Sequence, residues 1–170
     1  KEPNGVLDQR TVNDTISILG AETAIAGNYT LDPALPASSS NYTDFVSLAN
    51  DVKFRGLCGN VTVTVAAGVY NTEVLFDDVQ GLSSGRLIID GVDSTLVTIT
   101  HNSNNQYGTV TFSNSQYIEL RNMTIESTGT SNAVGVLLTG SNNIVVTNCV
   151  IKVPTTTTTS TVIPVTFSGA

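Results

Sequence analysis

The chain has 170 residues, 40% of them hydrophobic and only 12% charged, with fourteen acids against seven bases and a formal net charge of −7. Its bases (Lys1, Arg10, Lys53, Arg55, Arg86, Arg121 and Lys152) are scattered, which excludes the basic patch that nucleic-acid binding requires. No apolar run reaches the ~18 residues of a membrane-spanning helix, so no membrane insertion is expected.

Residues 1–40 read as an extended N-terminal arm or linker. Thr15-Ile-Ser-Ile-Leu19 suggests one short strand, and Gly27, Asn28, Pro33, Pro36 and Ser38-Ser-Ser40 punctuate a stretch in which the prolines oppose helix. Residues 41–58 carry the one clear helical period. Phe45, Leu48, Ala49 and Val52 stand at i, i+3, i+4 and i+7 and form a single apolar stripe. Asn41 or Thr43 is placed to cap the first turn and Asp44 suits the N-terminal dipole. Lys53 and Arg55 suit the C-terminal one, and Gly56 is a natural stop. The helix is read as a cap over one end of the strand-rich region C-terminal to it; the alternative is a helix packed along the side of that region.

Residues 59–170 hold only strand and turn signals, and they repeat. Val110-Thr-Phe-Ser-Asn-Ser-Gln-Tyr-Ile-Glu-Leu-Arg-Asn-Met-Thr-Ile125 lies over Val136-Leu-Leu-Thr-Gly-Ser-Asn-Asn-Ile-Val-Val-Thr-Asn-Cys-Val-Ile151 at an offset of 26 residues. Phe112 falls on Leu138, Ile118 on Ile144, Leu120 on Val146, Asn122 on Asn148 and Ile125 on Ile151. The phrase starts again at Val165-Thr-Phe-Ser-Gly169, with Pro154-Thr-Thr-Thr-Thr-Thr-Ser160 read as an extruded loop. A fixed period of this size marks a solenoid, and short alternating β segments without helix mark one coil of a parallel β-helix. The low charge agrees: equivalent side chains on successive coils stack ~4.8 Å apart, where like charges would repel. The expected fold is therefore all-β, a right-handed parallel β-helix with an N-terminal capping α-helix and an extended arm.

Phe112, Leu138, Ile118, Ile144, Ile125 and Ile151 are assigned to the core. Asn122 and Asn148 are assigned to matching corners, since asparagine tolerates the left-handed conformation that a sharp bend demands and stacked amides can bond from coil to coil. Cys149 matches Met123 and reads as a small buried hydrophobe, some coils away from Cys58 and unbridged to it.

Gly27-Asn-Tyr-Thr-Leu-Asp-Pro33, the helix, and Arg55-Gly-Leu-Cys-Gly-Asn-Val-Thr-Val-Thr-Val-Ala-Ala-Gly-Val-Tyr70 together resemble the entry to β-helix regions in long secreted surface proteins of Bacteroidota. The likeness covers roughly residues 25–170. Such proteins are exported by the type IX secretion system and include adhesins and filaments. The stretch ending at Tyr70 and followed by Glu73 also resembles the first coil of pectin-lyase-like folds. The resemblance implies a secreted, cell-surface location, and the end at Ser168-Gly-Ala170 implies a β-helix truncated at its C-terminal side.

Enzymatic chemistry is not expected. Glycoside hydrolysis needs two carboxyl groups across one groove, ~5–9.5 Å apart. The candidates are adjacent Asp77 and Asp78, which would point to opposite sides of a strand, and Asp90 with Asp93, which reads as a turn. Arg121 stands beside Glu119 without a neighbouring acidic cluster. His101 reads as a lone exposed turn residue with no metal-ligand spacing, and no cofactor or metal is expected. Asn-x-Thr triplets such as Asn60-Val-Thr62 match the glycosylation pattern, as chance alone allows in so Asn- and Thr-rich a chain. The Thr62/Thr64, Thr98/Thr100 and Thr109/Thr111 pairs read as β-forming residues on a solvated face.

The functional expectation is a non-catalytic structural or adhesive β-helix segment of a cell-surface adhesin or filament. Its expected partners are further coils of the same polypeptide or neighbouring subunits, with glycans or the secretion machinery as further candidates. The alternatives are a carbohydrate-binding module and the N-terminal fragment of a β-helix polysaccharide lyase or hydrolase.

Overall fold

A computed structural model describes residues 23–82, 84–102, 107–155 and 162–168. The expectations for Thr15–Leu19 and for most of the threonine run lie outside them. Three strands recur in order along the chain. β1 (Ile25–Leu31), β2 (Asn41–Tyr42) and the helix α1 (Phe45–Arg55) precede a first full coil of β3 (Leu57–Val65), β4 (Gly68–Asn71) and β5 (Val74–Asp77). The second coil is β6 (Leu87–Asp90), β7 (Val97–His101) and β8 (Gly108–Ser113); the third is β9 (Ile118–Arg121), β10 (Thr124–Ser127) and β11 (Val134–Thr139). The fourth is β12 (Val145–Thr147), β13 (Val150–Lys152) and β14 (Ile163–Ser168). They build three sheets with orders β12-β9-β6-β3-β1-β2, β13-β10-β7-β4 and β14-β11-β8-β5, all paired in parallel. This is a β-solenoid of about five turns, consistent with a right-handed parallel β-helix.

The period-2 alternation of each strand becomes vertical columns inside the coil. Val63, Ile89, Leu120 and Val146 stack in the first sheet, and Tyr70, Ile99, Ile125 and Ile151 in the second. In the third, Val74, Val110, Val136 and Val165 run beside Phe76, Phe112, Leu138 and Phe167. The register of β9 with β12 sets Ile144 over Ile118. The 26-residue offset is thus the step from β8, β9 and β10 to β11, β12 and β13, and the matched residues of the repeat are neighbours in space.

Corners bend through left-handed residues, which also stack. Asp78, Asn114 and Gly140 have φ of 58°, 46° and 57° at one corner, Asn122 and Asn148 have 56° and 51° at another, and Tyr117 and Asn143 have 57° and 54° at the third. The amide of Asn122 donates to Asp90 Oδ1 at 2.8 Å, on the rung below and 32 residues away in the chain, rather than to Asn148 as the stacked-amide expectation held. The residue beneath Asn122 is Gly91, where any Cβ would collide with the Asn122 carbonyl, and the acceptor beside it on that rung is the Asp90 carboxylate.

The N-terminal arm needs correction. Residues 25–31, expected as part of a non-repeating linker, form β1 and continue the first sheet, pairing Tyr29 with Val63 and Leu31 with Val65 after a register shift between Ile25 and Gly27. Ile25 and Leu31 are buried in the core. Helix α1 closes the same end over the other two sheets, where β4 and β5 have no strand beneath them among the described residues. Phe45, Leu48, Ala49 and Val52 are buried, and Phe45 meets Tyr70 edge-on with ring centroids 5.2 Å apart. The cap differs from both sequence candidates: Asp44 is the N-cap, accepting from Ser47 N–H at 2.7 Å. Asn41 is instead buried in β2, with its amide on Asp32 O and Pro36 O of the preceding loop. Gly56, at φ 70°, ends the helix and donates to Val52 O at 2.9 Å.

Candidate functional site

Of the carboxylates considered for catalysis, Asp77 and Asp90 bond to other elements of the fold, while Asp78 and Asp93, among the described residues, do not. Asp77 pairs with Lys53 of α1 at 2.6 Å; that bond first, and one from Ser113 second, hold its carboxyl below the usual carboxylate range. Asp78 is the exposed corner residue next to it. Asp90 accepts from Arg121 Nη2 at 2.9 Å and Nε at 3.0 Å, from Asn122, and from Val92 N–H. Burial opposes ionisation of Asp90, but these donors outweigh it and lower its pKa. Asp93 accepts from both the N–H and the hydroxyl of Thr95, a local turn. Arg121 also lies 3.5 Å from Glu119, which pairs with Arg86 at 3.4 Å. The acid that sequence reading missed beside Arg121 comes from another rung, since Asp90 is 31 residues away. The outcome is an alternating charge ladder on the outer face of the first sheet.

His101 is not an exposed turn residue. It is the half-buried last residue of β7, in register with Ser127 of β10, and its Nε2 lies 3.8 Å from Glu73 Oε2. β7 continues through His101 because β10 offers a partner there. Among the described residues, no group of three His, Cys, Asp or Glu is placed to hold a metal. Both cysteines are free; Cys58 is exposed and Cys149 half-buried, with burial pushing the Cys149 thiol up. No helix among the described residues is long and apolar enough to cross a membrane.

One threonine pair expected on a solvated face is buried. Thr109 donates to Glu126 O in the adjoining sheet at 3.3 Å. Thr111 lies in the row between Leu75 and Leu137, with its hydroxyl accepting from Gly108 N–H at 3.2 Å. Alternation correctly sets their direction but says nothing of what packs over that face. A serine ladder was also missed. Buried Ser115 accepts from Val79 N–H at 3.0 Å and its hydroxyl reaches Phe76 O at 2.9 Å, while its own N–H donates to Ser141 Oγ at 3.0 Å. The 26-residue offset between Ser115 and Ser141 is the signal that could have found it.

The feature that stands out is the C-terminal end. Among the described residues, β12, β13 and β14 each have a partner strand on one side only. Their unpaired backbone edges frame an apolar cavity of about 360 Å³ whose walls include Leu138, Ile144, Val146, Ile151, Val165 and Phe167. In the column Phe76, Phe112, Leu138, Phe167, the two lower phenylalanines are fully buried while Phe167 is 76% exposed. One end of the core is closed by α1; the other presents core-type side chains and free strand edges. Compared with known proteins, the chain matches no protein family, no curated protein and no solved structure.

Proposed function

We propose that this chain is a non-catalytic structural and adhesive β-helix segment of a secreted cell-surface protein, joined through its open end to further coils of the same polypeptide or to a neighbouring subunit. The observation that carries the reading is the asymmetry of the two ends. Three parallel edges need strand partners for their N–H and C=O groups, and the apolar floor between them continues the internal columns. A further β-coil in the same register satisfies both demands at once, whereas a helix would leave the edge groups unpaired. Asp90 and Asp77, one from each candidate pair, are committed to bonds with Arg121 and with Lys53, which also favours a scaffold over an enzyme. The resemblance of residues 27–33 and 55–70 to Bacteroidota surface proteins is the basis for proposing a type IX secretion substrate, with an adhesin or filament as its setting.

Analytical ultracentrifugation of the chain beside Phe167→Glu, with hydrogen exchange on β12–β14, tests the end. Concentration-dependent association that Phe167→Glu abolishes supports the proposal, as do fast-exchanging edge amides in the monomer. A monomer whose β12–β14 amides are protected as well as those of β9 would overturn it.

A further inference from the structure

At the opposite, capped end lies a polar groove of about 270 Å³ between the 37–43 segment and α1. Its outer wall is stiffened from within. Asp32 Oδ1 accepts from Ala34 N–H at 2.9 Å, Ser38 and Asn41 exchange backbone bonds, and the buried Asn41 amide ties Asp32 O to Pro36 O. This arrangement sets Ser38 and Ser39 along the groove. The inner wall is one stripe of the helix: Ser47, Asp51 and Arg55 stand at i, i+4 and i+8, beside the stripe that faces the core.

Two side chains meet at Asp51. Tyr42 donates its phenolic O–H to Asp51 Oδ2 at 2.6 Å and Arg55 Nη1 lies 3.3 Å from the same oxygen. Both bonds fall on Oδ2, so Oδ1 keeps its acceptor capacity. Burial, and then the bond to Asp51, push the Tyr42 phenol well above its ordinary range, so it stays a neutral donor. The Tyr42 ring leans on Tyr29, with centroids 5.8 Å apart and planes at 34°, which fixes it as a rigid wall.

We infer that this groove binds a neutral sugar ring. A carboxylate with an open oxygen, the serine hydroxyls and an aromatic wall together match the alternating hydroxyls and C–H faces of a pyranose, and bonds from sugar hydroxyls to a carboxylate are charge-assisted. Charged ligands fit worse: an anion would meet Asp51, and a cation would meet Arg55. The volume lies below the ~300–1,000 Å³ of sites for larger ligands, which suits a single ring at the end or edge of a glycan. The site shares no residue with the open C-terminal end and stands or falls separately from it.

Amide chemical-shift titrations of the full chain with glucose, galactose, mannose and N-acetylglucosamine test the inference, with inorganic phosphate as the charged control. At least one neutral sugar is expected to give saturable shifts at residues 38–43, 47, 51 and 55, with Kd on the order of 1 mM. Asp51→Asn keeps an acceptor for Tyr42 yet weakens binding about tenfold. Ser39 is exposed, and Ser39→Trp fills the groove and abolishes binding without touching the helix, while Phe167→Glu leaves the affinity unchanged. The inference is overturned if no neutral sugar gives saturable shifts, if phosphate binds these residues more tightly, or if Ser39→Trp binds as well as the parent chain.

Discussion

Phe112 stacks on Phe76 with ring centroids 5.6 Å apart and planes only 14° from parallel, although 36 residues of chain separate them. The two rings belong to the same column on successive coils, and both are fully buried. Offset-stacked rings add to the apolar burial that holds neighbouring rungs together.

Phe112→Ala therefore opens a void between Phe76 and Leu138 and should cost about 3–5 kcal/mol in urea unfolding. Phe167→Ala, at the exposed top of the same column, should cost less than ~1 kcal/mol in the isolated chain. Equal losses would contradict the burial gradient along the column.

The corner at Asn122 supports a second comparison. Its φ of 56° is left-handed, where a β-branched residue is a conformational outlier. Asn122→Val should lower the thermal midpoint more than Asn122→Gly, because glycine restores the backbone and loses only the bond to Asp90. The reverse ranking would mean the side-chain bond outweighs the bend.

The Asp90–Arg121 contact predicts acid sensitivity. The folded carboxyl titrates below its unfolded value of ~3.9, so its contribution is complete above that value. It is lost as pH falls through the folded pKa. Asp90→Asn should flatten the stability profile below about pH 4 and leave its shape unchanged near neutrality; an unaltered acid limb would remove Asp90 from that account.

The two thiols should differ in rate of modification. Cys58, exposed on β3, should react quickly with a thiol reagent. Cys149 should react slowly, its thiolate disfavoured by burial. Because Cys149 also lines the open end, its labelling should slow further as protein concentration rises if a partner seats there. Uniformly fast labelling of both cysteines would argue against the half-buried placement.

The solenoid was legible because its determinants are local and repeated. Alternation within Val61–Val65 orients each side chain, and the offset that lays Phe112 on Leu138 measures one turn of the coil. Strand β1 escaped notice because Gly27 and Asn28 interrupt the apolar alternation, and its place in the sheet comes from the pairing of Tyr29 and Leu31 with β3. His101 and Thr109 were misjudged for a related reason: each took its environment from a neighbouring rung or sheet.

What the amino-acid order settled unaided was the coiled β architecture, the 26-residue step between the later coils, and where a helix interrupts the pattern. Periodicity encodes those things directly, since each is a spacing along the chain. Only the tertiary arrangement decided that Asp90 answers Arg121, that Asn41 serves a loop while Asp44 caps the helix, and that, among the described residues, α1 covers one end of the core while β12, β13 and β14 at the other are paired on one side only. Those outcomes depend on groups brought together by coiling, and a hydrogen bond or a buried surface exists only where both partners arrive.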